Sequence, residues 1–215
     1  MKEILEIAGI FAVAFVVGLS GAVMPGPLLA VVIREAPKRG AMVGPLVVLG
    51  HAILEALLVV VIACGLAGLL KSEPFMLFIN LVGGAMMCFM GQGMIRSAGK
   101  TVLISEEKET GASRNAGPVL WGALMSISNP YWLLWWAVVG VGYVLSALNL
   151  GIVGVMAFFV GHITSDLVWY SIVGYGMARG RKLIPEKIYH GIIVLCGCAL
   201  LVFGLWLVFS GLKGF

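Results

Sequence analysis

Along the chain, long apolar runs alternate with short polar clusters. Charged residues divide it into six apolar segments, at roughly 7–33, 41–70, 75–95, 118–145, 150–177 and 190–212. Each is long enough for a helix that crosses the hydrocarbon core of a bilayer, which takes about 20 residues. None is a short stretch of strict alternation, the mark of a membrane β-strand. Backbone polar groups in lipid must be satisfied within their own segment, so the pattern predicts helices. The expected fold is all-α and integral to the membrane, with six transmembrane helices in one membrane domain covering 1–215. The connection at 96–117 is the longest and most polar. It carries Glu106, Glu107, Lys108 and Glu109 and reads as a solvated seam between two halves.

Composition narrows the function. Of 215 residues, 61% are apolar and 11% charged, and the mean hydropathy is +1.08. A soluble domain carries about 25% charged residues, so a cytosolic enzyme and a nucleic-acid partner are both excluded, despite a formal net charge of +4. Cys64, Cys88, Cys196 and Cys198 lie inside apolar runs without metal or redox spacing and read as small buried hydrophobes. No cofactor is expected. Glu3 and Glu6 stand where a cleaved signal would be basic, so the N-terminus reads as part of the first span.

Basic residues give the orientation. Arg34, Lys38 and Arg39 follow the first segment; Arg96, Lys100, Lys108 and Arg114 the third; Arg179, Arg181, Lys182 and Lys187 the fifth. Only Lys2, Lys71 and Lys213 fall on the other side. By the positive-inside rule the larger group faces the cytoplasm. A multi-pass protein of the cell (plasma or inner) membrane with both termini extracytoplasmic follows.

The two halves repeat each other. Pro25-Gly26-Pro27-Leu28-Leu29 is matched by Pro130-Tyr131-Trp132-Leu133-Leu134. Gly50-His51 with Glu55 is matched by Gly161-His162 with Asp166, and Gly84 and Gly91 by Gly197 and Gly204. The landmarks keep their order, so the expectation is repeat one at 1–100, a cytoplasmic linker at 101–117 and repeat two at 118–215. Three spans per half is an odd number, so the second half must be inverted. Inverted repeats are typical of secondary transporters, whose site lies at the repeat interface.

The chemistry concentrates in the same places. Glu55 and Asp166 are the carboxylates well inside apolar segments, and each follows a histidine by four residues, on one helix face. A charge facing hydrocarbon costs at least about 2.5–3.5 kcal/mol, so His51, Glu55, His162 and Asp166 should face the bundle interior as a substrate and proton-coupling site. A purely structural pairing remains the plainer alternative, and two histidines with two carboxylates would also suit a divalent metal. Proline inside a span frees backbone groups. Pro25, Gly26 and Pro27, and Asn129 with Pro130, therefore read as helix breaks lining that site, where free N–H groups would suit a carboxylate. Tyr131, Trp132 and Trp135, followed by Trp136, are candidates for an aromatic wall around a cation. Trp121, Tyr143, Trp169, Tyr170 and Tyr175 read as interfacial, and His190 as structural.

Six spans in about 215 residues, Pro25-Gly26-Pro27, Asn129-Pro130, and Asp166 followed by Gly174-Tyr175-Gly176 resemble the L-lysine exporter (LysE-type) family over essentially the whole chain. The resemblance implies export of amino acids or similar small zwitterions, driven by an ion gradient. Its partners would be a small-molecule substrate and the lipid bilayer, with no nucleic acid and with a homo-oligomer left open. The alternative is a divalent metal exporter using the paired His-x-x-x-acid motifs. A membrane enzyme is disfavoured, because neither H-E-x-x-H nor G-x-S-x-G occurs.

Overall fold

A computed structural model describes residues 2–66, 72–98, 112–180 and 185–213. These are helical almost throughout, with no strand among them. Eight helices follow in order: α1 (Lys2–Ala22), α2 (Pro27–Arg39), α3 (Val43–Val61), α4 (73–98), α5 (Ala112–Ile127), α6 (130–147), α7 (Gly151–Gly180) and α8 (Glu186–Lys213). A π-helical turn, Ile62–Leu66, extends α3; others interrupt α4 at Ile79–Gly83 and α6 at Trp136–Gly140. Five helical stretches are long and apolar enough to cross a membrane: Lys2–Ala22, Val43–Gly65, Glu73–Arg96, Pro130–Gly180 and His190–Lys213. The fourth has 51 residues and would measure about 77 Å if straight. It instead reverses at Gly151, where φ is +63°, and α7 runs back along α6, stacking Phe158 on Tyr143.

Two of the six sequence segments are not single helices. The first divides into α1 and α2, because Pro25 and Pro27 cannot continue a helix and bias the residues before them to extended backbone. Gly26 is extended (φ −148°, ψ −179°), and Pro27 opens α2 where no N–H is needed. The fourth divides into α5 and α6 at Ser128-Asn129. There the Asn129 side chain accepts from Tyr131 N at 3.1 Å and caps α6. Arg34, Lys38 and Arg39, read from sequence as a loop, lie in α2. Leu28, Leu29, Val32, Ile33 and Ala36 bury one face of that helix; at its edge the half-buried Arg39 reaches back four residues to Glu35 at 3.1 Å, while Arg34 and Lys38 are exposed. Of the polar connection at 96–117, residues 96–98 and 112–117 are helical, the latter within the expected linker 101–117. Its middle, 99–111, lies outside the described residues.

Glycine sets how closely the helices approach. In the α4–α8 seam, a Cβ on Gly84 would stand 2.7 Å from the Gly204 carbonyl oxygen, and one on Gly91 2.6 Å from that of Gly197. The backbones touch there as in small-residue membrane interfaces. Contact of the same kind joins α3 to α5, through Gly50 against the Val119 carbonyl, and α7 to α1, through Gly161 against that of Phe11. Gly44 of α3 lies on the backbone of Tyr170 in α7. That last contact brings the faces carrying His51 and His162 together.

Candidate functional site

A cavity of about 410 Å³ lies among α1, α3, α6, α7 and α8. Its polar wall comes from the middle of α3 and α7, which supply His51 and Glu55, and His162 and Asp166. All four side chains are buried, Glu55 to 1% exposure. His51 Nε2 stands 3.0 Å from Glu55 Oε1, and His162 Nε2 is 3.2 Å from Glu55 Oε2. Asp166 Oδ2 is farther off, 3.7 Å from His51 Nε2 and 3.9 Å from His162 Nε2.

Glu55 is the hub of this cluster. Trp132 Nε1–H donates to its Oε1 at 2.8 Å, and Trp136 Nε1–H to the same oxygen at 2.9 Å. An indole nitrogen only donates, so two helical positions of α6, four residues apart, both read Oε1 as an acceptor. The π turn beginning at Trp136 places the second indole, and Gly140 leaves space for its ring: a Cβ there would overlap Trp136. Such turns recur at functional sites. Among the described residues, Glu55 Oε2 and Asp166 Oδ2, both buried, accept no well-directed hydrogen bond, and their near neighbours are the imidazole nitrogens. The charge on these two oxygens is therefore met by the histidines alone, an arrangement that favours a further donor or cation beside them.

The two histidines are held differently. His51 Nδ1 is 2.6 Å from Ser126 Oγ, which also lies 2.6 Å from the Gly122 carbonyl oxygen. A hydroxyl has one proton. When Ser126 donates it to Gly122 O, Nδ1–H of His51 donates to Ser126. His162 Nδ1 has no hydrogen-bond partner. Its ring is fixed instead by stacking, 4.8 Å from Trp135 and 6.0 Å from Phe158.

Pro25, Gly26 and Asn129 line the cavity, so the two helix breaks flank one space. A Cβ on Gly26 would be 3.6 Å from Asn129 Nδ2. Pro27 and Pro130 are buried as the first residues of α2 and α6. Tyr131, Trp132 and Trp135 lie in the wall. Tyr170, read from sequence as interfacial, is 5% exposed and lines the cavity one turn beyond Asp166; its i+4 spacing from that acid was the available signal. Tyr143 is half-buried against Phe158, while Trp121 and Tyr175 are exposed, 41% and 55%. Ser126 and the bond from Trp136 to Glu55 went unread. Ser126 is 75 residues from its histidine; the Trp132–Trp136 spacing did mark both indoles as sharing a face.

An all-helical multi-pass membrane protein, with a central cavity between broken helices and buried acids facing histidines inside it, is built to hold and pass a small solute. The comparisons with known proteins agree with that class. The LysE type translocator model matches residues 19–211, and the chain belongs to that family. It is 24% identical to a protein of Bacillus subtilis (strain 168) named "Putative amino acid efflux protein YcgF", over 95% of this chain and 97% of that protein. It is also 29% identical to a Pseudomonas aeruginosa protein named "Chemotactic transduction protein ChpE", over 91% of this chain and 95% of the other. No solved structure matches the chain significantly.

Proposed function

We propose that the protein exports amino acids or similar small zwitterions across the cell membrane by exchange for protons, through alternating access. The observation that carries the reading is the convergence of Glu55 and Asp166, both buried against His51 and His162, in one cavity flanked by both helix breaks. In the cycle, the substrate ammonium takes the place of a proton at these carboxylates. The displaced proton leaves to the cytoplasm as the substrate binds, and another is taken up from outside as the substrate departs. His51 and His162 relay it between the carboxylates and the open end of the cavity, and the indoles of Trp132 and Trp136 hold Glu55 in place. The substrate carboxylate sits toward the break at Gly26, where the N-terminus of α2 has no side-chain cap and its dipole favours an anion.

The proposed architecture is six crossings as two inverted repeats, α1–α4 at 1–100 and α5–α8 at 118–215, with 101–117 as a cytoplasmic linker. Supporting it, Gly84 meets Gly204 while Gly91 meets Gly197, the crossed pairing that a two-fold relation between the matched glycines would produce. Both termini then lie outside the cytoplasm. A reporter that fluoresces only in the cytoplasm, fused after Phe215, should stay dark in cells where the protein is functional; a bright, functional fusion contradicts the orientation.

The test of function is reconstitution in liposomes loaded with radiolabelled amino acids. An imposed proton gradient should drive efflux of at least one of them, and dissipating the gradient should slow it. Absence of efflux for every amino acid in an active, oriented preparation contradicts the proposal. One observation favours a second reading. His51, Glu55 and Asp166 each offer a ligand atom, all within 4.8 Å of one another, a spacing suited to a transported divalent cation. Stoichiometric zinc, nickel or cobalt kept through desalting and lost in His51→Ala would favour that reading over amino acids.

A further inference from the structure

The cavity is also lined by a stripe of α8: Leu195, Cys198, Ala199, Val202 and Phe203, with Met87 of α4. The spacing of three, four and seven residues puts the stripe on one helix face. Phe203 packs edge-on against Tyr131 at 5.3 Å, which joins the stripe to the aromatic wall of α6. Leu195 and Val202 line the cavity and are still 68% and 70% exposed. The apolar side of the cavity therefore reaches the outer surface of the spanning helix α8 as a slot. Among the described residues the cavity wall contains no Lys or Arg, and no carboxylate besides Glu55 and Asp166.

The geometry points to an α-amino acid with a large apolar side chain as the substrate, its ammonium at Glu55 and Asp166 and its side chain against the α8 stripe. This rests on reading the cavity as the export site. The space, about 410 Å³, equals roughly fourteen water molecules at about 30 Å³ each, so an ammonium and a carboxylate alone leave much of it unfilled. A leucine, methionine or phenylalanine side chain replaces that water with apolar contact. The second cation of a lysine-like solute would reach the apolar end with no counter-charge, and a hydroxyl would lose its hydrogen bonds there. The two carboxylates are both committed at the other end. Selectivity therefore resides in α8, a helix that supplies no carboxylate and no histidine to the site.

The experiment is exchange of radiolabelled leucine across liposomes holding the purified protein, competed by unlabelled phenylalanine, methionine, alanine, serine and lysine. Phenylalanine and methionine should compete about tenfold better than alanine or serine, in line with the 10–200-fold discrimination that apolar pockets achieve. Lysine should compete least. Ala199→Phe should fill the slot and reduce leucine exchange at least about tenfold more than it reduces exchange of labelled alanine. Val202→Thr, a nearly isosteric change that should fold in any case, should weaken leucine competition and not that of alanine. Preference for lysine or serine, or a Val202→Thr protein with unchanged selectivity, overturns this inference and leaves amino-acid export standing. Failure to exchange any amino acid overturns both.

Discussion

His51 and His162 occupy corresponding places in the two halves, four residues before an acid, yet their second nitrogens have different surroundings. At the His51 corner, Ser126 of α5 holds Nδ1 at 2.6 Å. At the His162 corner, α1 contributes Gly18 and no hydroxyl; a Cβ there would come within 2.8 Å of His162 Nδ1. Ser165 Oγ occupies the adjoining space and donates to the His162 carbonyl at 2.7 Å. Both imidazoles meet Glu55 through Nε2, but at Nδ1 one is locked by a hydrogen bond and the other has only aromatic faces beside it. The acids differ in parallel. Glu55 Oε1 accepts two indole N–H groups, whereas Asp166 Oδ2 accepts none. The two His-x-x-x-acid pairs of the cavity thus differ: His51 with Glu55 is the more firmly held, His162 with Asp166 the freer. The lesson is that the same His-x-x-x-acid spacing sets which face a pair occupies but not how firmly it is held. Firmness is decided by neighbours on other helices.

The largest effect on this contrast should come from removing the acids. Glu55→Ala leaves two indole N–H groups unsatisfied, at about 1–3 kcal/mol each when buried. Asp166→Ala removes an oxygen that accepts no hydrogen bond. Thermal unfolding in detergent should show Glu55→Ala as clearly the less stable, and equal or reversed losses would break the distinction between the two sides. Next in size is Gly18→Ala. Its methyl group would overlap Ser165 Oγ and crowd His162, an overpacking that costs about 1–3 kcal/mol. Ser165→Ala should relieve part of the strain, so the double variant should be more stable than the sum of the singles implies; strict additivity would show that the two residues do not meet. The smallest effect is expected from Ser126→Ala, about 1 kcal/mol, by loss of the hydrogen bond to His51. It makes His51 as free as His162. Export should persist at a rate lowered a few-fold, and complete loss would mean that Ser126 has a part in proton movement beyond positioning the ring.

Much of this was legible in the sequence and some was not, for definite reasons. Apolar run length marks helices that must satisfy their own backbone, and Pro25, Pro27 and Pro130 mark where they stop, because both signals are local. Glu55 and Asp166 stand out since a carboxylate within an apolar run is expensive anywhere else. The separate helix α2 was hidden by charge. Arg34, Lys38 and Arg39 look like a loop until the buried face formed by Leu28, Val32 and Ala36 is set against them. Helix pairings depend on contacts more than a hundred residues apart, such as Gly84 with Gly204, and no local pattern specifies a partner at that distance. Ser126 was invisible for the same reason: a serine in the last turn of a helix is common, and only the packing of α5 on α3 brings it to His51.

The central claim is that Glu55 and Asp166 exchange a proton for the substrate ammonium in one shared cavity. Glu55→Gln and Asp166→Asn keep shape and hydrogen-bonding reach, since an amide oxygen still accepts from Trp132 and Trp136, and removing a buried charge need not destabilise the fold. The decisive measurement follows amino-acid efflux and proton uptake simultaneously in liposomes containing the wild type or each variant. The account predicts coupled proton uptake and efflux in the wild type, and loss of gradient-driven efflux in both variants, with one of them retaining solute exchange when no gradient is imposed. Undiminished, proton-coupled efflux by Glu55→Gln and Asp166→Asn would contradict it.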